Sequence, residues 1–464
     1  MASSSSLLCL FSLFYLLSLA SSSPQNKSTS ITLSLSQFNK YSSPDPWQKL
    51  THLAFASLTR AHHLKNPQNT SLTKTHLFPH SYGGYSISLS FGTPPQIIPF
   101  VMETGSSLVW FPCTHRYSCK DCAFPNTDPT KIPSFIPKLS SSSKLLGCRN
   151  PKCSWIHDAD VQSRCQDCDP NSSNCSQICP PYIRIYGSGT TGGVLLSETL
   201  DFPEKRVPDF VVGCSLFSSR QPAGIAGFGR SPSSLPSQLG LNKFSYCLLS
   251  HRFDDTSGSS SLVLESGSDS GDHKTNGVNY TPFLKVPVAG NSAFSGYYYV
   301  SLRKITVGGN LVKIPYSYLS PGSDGNGGTV VDSGTTFTFM EGQVFELVAR
   351  EFQMQVLHYK RAADIETRTG LRPCFNVSGD KTISLPKLVF HFKGGAKMTL
   401  PLANYFSILG NSGVACMTMV TDVAVDPEFS GGPAIILGNY QQQNFYLEYD
   451  LENERFGFRR QSCK

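Results

Sequence analysis

An internal repeat constrains this chain more than any other feature of its sequence. The segment Val101-Met-Glu-Thr-Gly-Ser-Ser recurs as Val330-Val-Asp-Ser-Gly-Thr-Thr. More than a hundred residues after each of these, Gly224-Ile-Ala-Gly-Phe-Gly is echoed by Ala434-Ile-Ile-Leu-Gly-Asn. Each half of the chain thus carries an acidic turn and, later, a second apolar element that includes glycine. The repeat predicts two related lobes that place the two acidic turns face to face across a pseudo-two-fold axis.

The sequence from Tyr82 onward is typical of a β protein. Apolar and polar residues alternate in the runs that begin at Tyr85 and Phe445, and turn-forming residues recur every few positions. Glycine (38 residues) and proline (31 residues) are frequent and only 15% of residues are charged, which argues against a coiled coil. One helix is expected, over residues 343–357. We therefore predict an all-β protein with few helices.

The charge of the chain points away from nucleic acid. Lysine and arginine number 39 and aspartate and glutamate 32, and the resulting net charge of +7 is not gathered into basic tracts. The histidines are scattered without an H-E-x-x-H pattern, and no G-x-S-x-G element occurs. No metal, no cofactor and no nucleic-acid partner is therefore expected.

The two acidic turns supply a pair of carboxylates. Asp269 and Glu265 also match a loose acid-Ser-Gly pattern, but only Glu103 and Asp332 have apolar, strand-like residues on both sides. Two carboxylates about 3 Å apart can share one proton, because like charges cannot both ionise cheaply. The ionised carboxylate can take a proton from water while the protonated one polarises a carbonyl. The pair therefore predicts general acid–base hydrolysis without a covalent intermediate.

The amino-terminal end predicts export. Residues 7–19 are apolar and are followed by small residues, so residues 1–23 are expected to be a signal peptide. The alternative is a membrane anchor, but the run is shorter than the roughly 20 residues that cross a bilayer, and no second apolar span follows. Fifteen cysteines and six N-x-S/T sequons agree with secretion to the extracellular space, the cell wall or the vacuole. The sequons, which are candidate glycosylation sites, begin at Asn26, Asn69, Asn171, Asn174, Asn279 and Asn376.

Changes in composition divide the remaining chain. Residues 24–81 are polar, with an apolar-periodic stretch from Trp47 to Leu64 that is rich in basic residues and almost free of acids. This segment is expected either to be a pro-segment that covers an acidic cleft or to be a disordered linker. Residues 82–250 are assigned to an amino-terminal β lobe with a cysteine-rich insertion, 251–290 to an inter-lobe region, and 291–464 to a carboxy-terminal β lobe.

The cysteines predict disulfide bonds. Nine of them fall between Cys113 and Cys179, where the two C-x-x-C pairs could in isolation be zinc ligands. In an exported protein a disulfide framework is favoured. Removal of the signal peptide also removes Cys9, which leaves an even number, fourteen, as complete pairing requires.

Several motifs follow one another in order along the chain. They are Gly92-Thr-Pro-Pro-Gln, Trp110, Tyr186-Gly-Ser-Gly-Thr, Gly227-Phe-Gly-Arg, Ser234-Leu-Pro-Ser-Gln-Leu, Phe244-Ser-Tyr-Cys, Asp332-Ser-Gly-Thr-Thr and Ile436-Leu-Gly-Asn. In these motifs, over roughly residues 82–464, the chain resembles a pepsin-type aspartic protease of the plant nepenthesin-like branch. The resemblance implies a bilobal pepsin-like fold, a peptide or protein substrate and a monomer.

The resemblance implies roles for individual residues. Asp332 is implied as one catalytic acid, and Glu103 stands where the family has the other as aspartate. Tyr186 is implied on a flap that closes over substrate, with its hydroxyl toward the indole of Trp110; the alternative is that both are ordinary core aromatics. The residues implied to support the acids are Thr104 and Ser333, as a cross-lobe hydroxyl grip, Ser106 and Thr335, as donors to the outer carboxylate oxygens, and the turn glycines Gly105 and Gly334. The family also suggests the disulfides Cys374–Cys416 and Cys247–Cys463.

These observations predict a secreted aspartic endopeptidase that cleaves next to bulky apolar residues at acidic pH. The extra methylene of Glu103 moves the carboxyl by about 1.3 Å unless the backbone retreats, which is expected to attenuate activity. The alternative is a catalytically weak or inactive protein that binds or inhibits a partner on the same scaffold. A β-rich cell-wall protein without a functional cleft is disfavoured by the ordered motifs.

Overall fold

The computed structural model describes fourteen stretches of the chain, and every structural statement below concerns them alone. They are residues 29–37, 45–66, 84–122, 132–157, 161–166, 168, 175–187, 189–221, 223–250, 258–267, 274–285, 292–408, 413–422 and 431–463. The predicted signal peptide, Asp269 and the sequons at Asn26, Asn69, Asn171 and Asn174 lie outside these residues. Asn279 and Asn376 lie within them and are exposed.

Strands dominate the first half of the described chain, as predicted. They are β1 (Thr29–Gln37), β2 (Tyr85–Phe91), β3 (Gln96–Glu103), β4 (Trp110–Pro112), β5 (Ser118–Lys120), β6 (Lys144–Leu145), β7 (Tyr182–Ile185), β8 (Thr190–Phe202), β9 (Lys205–Ser219), β10 (Gly224–Gly227), β11 (Lys243–Cys247) and β12 (Ser259–Ser266).

The second half is built in the same way. Its strands are β13 (Asn279–Pro282), β14 (Tyr299–Val300), β15 (Leu302–Val307), β16 (Asn310–Val312), β17 (Thr329–Val331), β18 (Thr338–Met340), β19 (Lys360–Arg361), β20 (Cys374–Asn376), β21 (Leu388–Phe392), β22 (Lys397–Thr399), β23 (Phe406–Ile408), β24 (Val414–Met417), β25 (Met419–Val420), β26 (Ile435–Leu437), β27 (Phe445–Asp450) and β28 (Arg455–Arg460).

The helices of the described chain are few and mostly short. They are α1 (Pro46–Lys65), α2 (Ser154–His157), α3 (Val161–Arg164), α4 (Leu235–Leu239), α5 (Tyr316–Leu319), α6 (Gly342–Gln355), α7 (Ala363–Thr369) and α8 (Asn439–Gln442). Single 3₁₀ turns occur at Pro137–Leu139, Pro151–Cys153, Ser292–Gly296, Lys393–Gly395 and Leu402–Asn404. The predicted fold class, all-β with few helices, is confirmed.

The strands form one large sheet and three small ones. The large sheet has the order β13-β28-β27-β11-β12-β1-β2-β3-β10-β4-β9-β8-β6, with β5 beside β9 and β7 beside β8. The small sheets belong to the second half and have the orders β14-β17-β26-β18-β25, β16-β15-β21-β22 and β19-β20-β24-β23. Strands from the end of the chain thus join the sheet of the first half.

The sequence repeat is also a structural repeat. β10 runs parallel to β3, with Ile225 opposite Val101, and β26 runs parallel to β17, with Ile436 opposite Val330. In each half the strand that leads into the acidic turn therefore pairs with the second repeated element. This arrangement fixes both acidic turns in the same local geometry.

The helix predicted over residues 343–357 is α6, which begins one residue earlier and ends two residues earlier. It buries Val344, Phe345, Val348, Ala349 and Phe352. Their spacing of three to four residues forms one apolar face against the core. Such boundary differences are ordinary, since helix ends fray.

The longest helix, α1, lies in the basic segment for which the sequence indicated only an apolar periodicity. Asp45 caps its start by accepting a hydrogen bond from the Trp47 N–H at 2.9 Å, and Pro46 occupies the first turn, where a missing N–H costs nothing. Leu50, Leu53 and Leu64 are buried. These leucines contribute roughly 5–9 kcal/mol of apolar burial before the cost of ordering the segment is subtracted.

Disulfide bonds pair all fourteen cysteines of the described chain, which confirms the predicted disulfide framework. Of the two C-x-x-C motifs, only Cys119 and Cys122 bond to each other. The other pairs are Cys113–Cys214, Cys148–Cys165, Cys153–Cys179, Cys168–Cys175, Cys247–Cys463 and Cys374–Cys416, and the last two are those that the resemblance implied. None of the helices that the structure describes is long and apolar enough to span a membrane.

Candidate active site

The two acidic turns face each other in the buried centre of the molecule. Glu103 ends β3 and is 4% exposed, and Asp332 directly follows β17 and is 0% exposed. A Cβ atom placed on Gly105 would lie 2.6 Å from Asp332 Oδ1, and one placed on Gly334 would lie 2.9 Å from Glu103 Cγ. Each turn therefore needs glycine because the acid of the opposite turn packs directly against it.

Hydroxyl groups tie the two turns together. The Thr104 hydroxyl donates to the Val331 carbonyl at 3.2 Å and accepts from the Ser333 N–H at 2.9 Å. The Ser333 hydroxyl makes the mirror-image contacts, donating to the Met102 carbonyl at 3.0 Å and accepting from the Thr104 N–H at 3.1 Å. The pseudo-two-fold symmetry thus extends to the hydrogen bonds that Thr104 and Ser333 make between the two turns. Because all these groups are buried, this network fixes the separation of the turns.

A hydroxyl also orients each carboxylate. Ser106 donates to Glu103 Oε2 at 2.8 Å, and Thr335 donates to Asp332 Oδ2 at 2.7 Å. The Gly334 N–H donates to the other oxygen of Asp332 at 2.9 Å. Both carboxyl groups are therefore held in place by hydrogen-bond donors.

A second layer of buried amides supports the Asp332 turn. The Asn439 side-chain amide donates to the Ser333 carbonyl at 2.9 Å, and that of Gln442 donates to the Asp332 carbonyl at 3.4 Å. The Tyr246 hydroxyl in turn donates to Gln442 at 2.8 Å. The sequence motif that ends in Asn439 marked one of these residues, whereas no sequence signal identified Gln442.

Tyr186 lies on a hairpin above the carboxylates. The hairpin joins β7 to β8, and its turn is closed by the Tyr186 N–H, which donates to the Gly189 carbonyl at 2.6 Å. The Trp110 indole N–H donates to the Tyr186 hydroxyl at 2.9 Å. A Cβ atom on Gly187, at the hairpin tip, would lie 2.5 Å from Arg60 Cα. The hairpin therefore closes over α1.

Arg60 of α1 occupies the space between the two carboxylates. Its Nη2 lies 3.1 Å from Glu103 Oε2, and its Nε donates to Asp332 Oδ2 at 3.1 Å. The Arg60 side chain is 7% exposed. One buried guanidinium thus contacts both acids at once, and α1 covers the carboxylate pair. The sequence placed Arg60 in a basic segment but gave no signal that selected it.

Burial and charge set the ionisation of this cluster. Burial raises the pKa of Glu103, and Asp332 raises it further, while Arg60 and Ser106 oppose both. Burial disfavours the charge of Arg60, but the attraction of Glu103 and Asp332 outweighs it and raises the Arg60 pKa. Burial also raises the pKa of Tyr186, which remains a neutral hydroxyl. Glu103 is therefore the acid that protonates more readily than an ordinary carboxyl.

His63 is a second titratable group of α1 that faces the cluster. Its ring centre lies 6.3 Å from that of Tyr186. Burial and the nearby Arg60 charge lower the pKa of His63 to about 3, although Asp332 opposes them. Burial likewise lowers the pKa of His62. The docked helix therefore holds His63 in its neutral form.

The cleft that α1 fills is mainly apolar on the side of the second half. The leucines of α1 pack in one buried cluster with aromatic residues of that half, among them Phe294, Tyr297, Tyr299, Phe337, Phe339 and Tyr440.

Glu265, which shares the loose acid-Ser-Gly pattern, is ion-paired with Lys243 at 3.1 Å. Within the described stretches no cluster of three or more His, Cys, Asp or Glu side chains is arranged to hold a metal ion.

Comparisons with known proteins agree with this architecture. A family model described as "Xylanase inhibitor N-terminal" matches residues 85–265, and one described as "Xylanase inhibitor C-terminal" matches residues 297–460. A "Probable aspartyl protease" of Arabidopsis thaliana is 33% identical over 419 residues, which cover 82% of this chain and 82% of that protein. Aspartic proteinase nepenthesin-1 of Nepenthes gracilis is 32% identical over 393 residues, which cover 82% of this chain and 78% of that protein.

Solved structures share the fold at low identity. The crystal structure of EDGP aligns with a TM-score of 0.61 at 18% identity and covers 95% of this chain and 96% of its own. Basic 7S globulin from soybean aligns with a TM-score of 0.56 at 18% identity and covers 82% of this chain and 94% of its own. Together with the structural repeat, these likenesses confirm the predicted bilobal fold.

Proposed function

This chain belongs to the family of plant aspartic proteases that includes the nepenthesins, and we propose that it is an endopeptidase with Glu103 and Asp332 as its catalytic acids. The observation that carries the proposal is the buried, facing pair of carboxylates, each with its own hydroxyl donor. The names of the relatives support peptide bonds as the class of substrate.

The geometry supports a reaction in which the two acids share one proton. With α1 absent, a water molecule would lie between the carboxyl groups of Glu103 and Asp332. The ionised carboxylate takes a proton from this water, and the protonated one donates to the peptide carbonyl, so that the water adds to the carbonyl carbon. Breakage of the carbon–nitrogen bond follows when the amine takes up a proton. The Tyr186 hairpin, once α1 has gone, closes over the peptide and excludes solvent.

We propose that the chain with α1 docked is the inactive precursor of this enzyme. Residues 24–81 act as the pro-segment, because α1 places Arg60 between the acids and under the Tyr186 hairpin. Arg60 stays charged at any working pH, so release of α1 depends on protonation of the carboxylates and of the buried histidines. Seven disulfides support residues 1–23 as a signal peptide for export to the extracellular space, the cell wall or the vacuole, with glycosylation at the exposed sequons.

The proposed cleavage preference is for bulky apolar residues next to the bond that is broken. The aromatic residues that now surround the leucines of α1 would line the cleft after its removal. Apolar side chains of a substrate would then recover the burial that the leucines lose.

A digestion assay tests the proposed function. The full chain is exposed to pH 3–5 and then given casein or haemoglobin, with and without pepstatin, beside the variant Asp332→Ala. We expect proteolysis that pepstatin inhibits and that Asp332→Ala abolishes. Undiminished cleavage by Asp332→Ala would mean that a contaminating protease is responsible and would contradict the proposal.

A second candidate function is binding or inhibition of a partner protein without efficient catalysis. Glu103 favours it, because its side chain is one methylene longer than that of the aspartate found in the family and packs directly against Gly334 of the opposite turn. The family models that match the chain are also described by an inhibitor name. Correctly folded protein that remains inactive after removal of α1, both as wild type and as Glu103→Asp, would support this candidate.

A further inference from the structure

A second acidic site contacts the carboxy-terminal end of α1, and Lys65 of that helix fills it. The Lys65 ammonium lies 3.3 Å from Glu341 Oε2, 3.2 Å from Asp422 Oδ2 and 5.0 Å from the centre of the Phe339 ring. The Lys65 side chain is only 1% exposed although it is charged. Two carboxylates and the face of an aromatic ring are the groups that recognise an ammonium or guanidinium ion. We call Phe339, Glu341 and Asp422 the cation pocket.

The fold builds the cation pocket from two neighbouring strands. β18 and β25 run parallel, with Phe339 opposite Val420. Two residues after each of these, the chain places an acid, Glu341 and Asp422. The parallel register therefore brings both carboxylates to the same edge of the sheet. The Glu341 N–H donates to the Ala434 carbonyl at 2.8 Å, which ties this edge to the residue before β26.

The cation pocket and the carboxylate pair open into the same cleft. Arg60 and Lys65 are five residues apart on α1, which corresponds to about 7.5 Å along a helix axis and about 140° around it, so their side chains reach in different directions. An extended chain, at about 3.3 Å per residue, needs at least about two residues to cover the axial distance, and more residues to cover the difference in direction. A Cβ atom on Gly432 would lie 2.6 Å from Lys65 Cα, so the backbone of the bound segment runs directly against Gly432.

We propose that, once α1 has left, the cation pocket binds a lysine or arginine side chain of the substrate, at least about two residues from the bond that is cleaved. This inference rests on the proposed proteolytic function. Departure of Lys65 leaves two neighbouring carboxylates without the cation that paired with them, and a basic side chain restores that pairing. The competing explanation is that the cation pocket serves only to anchor α1 in the precursor.

Matched, internally quenched peptides test this inference on the full chain after activation at acid pH. In one series a single lysine stands at each position from about two to about five residues before or after the cleaved bond. The other series carries glutamine at the same positions. At pH 5, where exposed carboxyls are mostly ionised, we expect kcat/KM to be at least tenfold higher for lysine on one side of the bond. In the double variant Glu341→Gln/Asp422→Asn this ratio falls to about 1. In the control Glu452→Gln, which removes an exposed carboxylate from the β27–β28 turn, the ratio is retained.

The outcomes separate the pocket from the proteolytic function. Equal kcat/KM for both series in the wild type would overturn the cation pocket and leave proteolysis standing. If no peptide is cleaved, proteolysis fails, and the pocket is judged by fluorescence anisotropy of the same peptides with a reduced, uncleavable bond. A tenfold tighter Kd for the lysine peptide that the double variant abolishes supports the pocket. Equal Kd values, or no binding, overturn it.

Discussion

At the scale of single residues, the side chain of Glu103 decides how well the carboxylate pair can work. A carboxyl displaced by about 1 Å can lose roughly a hundredfold in rate, and the Glu103 side chain lies directly across Gly334 of the opposite turn. We expect Glu103→Asp to raise kcat/KM at acidic pH by at least about tenfold, or roughly 1.4 kcal/mol of transition-state stabilisation. Initial rates on a quenched peptide measure the change.

The chain offers a matched control for that substitution. Glu265→Asp makes the same change in the sequence Glu265-Ser-Gly, whose acid pairs with Lys243, and should leave kcat/KM unchanged. If Glu103→Asp and wild type are equally active, the backbone already accommodates the longer side chain and the predicted attenuation is wrong.

The sequence predicted the local contacts of the acids better than the contacts of α1. The hydroxyls of Thr104 and Ser333 follow the acids directly, so the turn itself sets their positions. Arg60 instead reaches Asp332 across 272 residues. Nothing in a single sequence fixes such a long-range register, because it depends on how an entire helix docks.

At the scale of secondary-structure elements, α1 is expected to block the active site chiefly through Arg60. Removing one partner of a buried ion pair typically costs about 3–5 kcal/mol, and Arg60→Ala also leaves two facing carboxylates that repel each other. We expect the uncleaved Arg60→Ala precursor to be at least tenfold more active than the wild-type precursor at pH 5. The control Lys49→Ala removes a charge from the same helix away from the acids, and its precursor should be as active as the wild-type precursor. Equal activity of the Arg60→Ala and wild-type precursors would show that the rest of α1 suffices for inhibition.

Docking of α1 is also expected to weaken as the pH falls. Docked His63 has a pKa of about 3, whereas an exposed histidine titrates near 6.5. The released helix therefore binds a proton that the docked helix excludes, so docking is strongest above about pH 6.5. It weakens between pH 6.5 and 3 by up to about 1.4 kcal/mol per pH unit. The attraction of Arg60 opposes the burial that raises the pKa of Glu103, and the part of docking that comes from this attraction is lost when Glu103 takes up a proton.

Substitution of His63 tests this sensitivity to pH. His63→Gln stays neutral throughout, so we expect the pH at half-maximal activation to fall by at least about 0.5 units. The exposed His358→Gln serves as the control. The midpoint is read from proteolytic nicking of the precursor across a pH series. An unchanged midpoint for His63→Gln would mean that other titratable groups, such as Glu103 and His62, set the response.

The elements differ in how far the sequence predicted them. α6 was predicted to within two residues because its apolar periodicity is strong. β1 was not predicted, although Ile31, Leu33 and Leu35 alternate with polar residues as in a strand. Its pairing with β12, from Thr29 opposite Ser266 onward, spans more than two hundred residues. A strand of this kind gains stability only from a distant partner, which local sequence patterns do not reveal.

At the scale of the whole molecule, the repeat predicted two lobes but not how they are joined. In each half, the strand that leads into the acidic turn pairs in parallel with one other strand, β3 with β10 and β17 with β26. The sequence repeat shows this symmetry. The large sheet, which joins the two halves, is asymmetric. Its strands β27 and β28 come from the end of the chain and pair with β11 and β13. The sequence repeat does not include these strands, so it does not predict their pairing.

The disulfide bond between Cys247 and Cys463 is expected to stabilise the pairing of β27 and β28 with β11 and β13. It closes 216 residues, whereas Cys119–Cys122 closes three. If stabilisation comes mainly from the lost entropy of the unfolded loop, the long bridge contributes roughly 4 kcal/mol more than the short one. We expect Cys247→Ser/Cys463→Ser to lower the Tm by at least about 5 °C more than Cys119→Ser/Cys122→Ser, measured by calorimetry without reductant. Equal losses of Tm would instead assign the stability of the large sheet to its buried apolar contacts, since these remain in both variants.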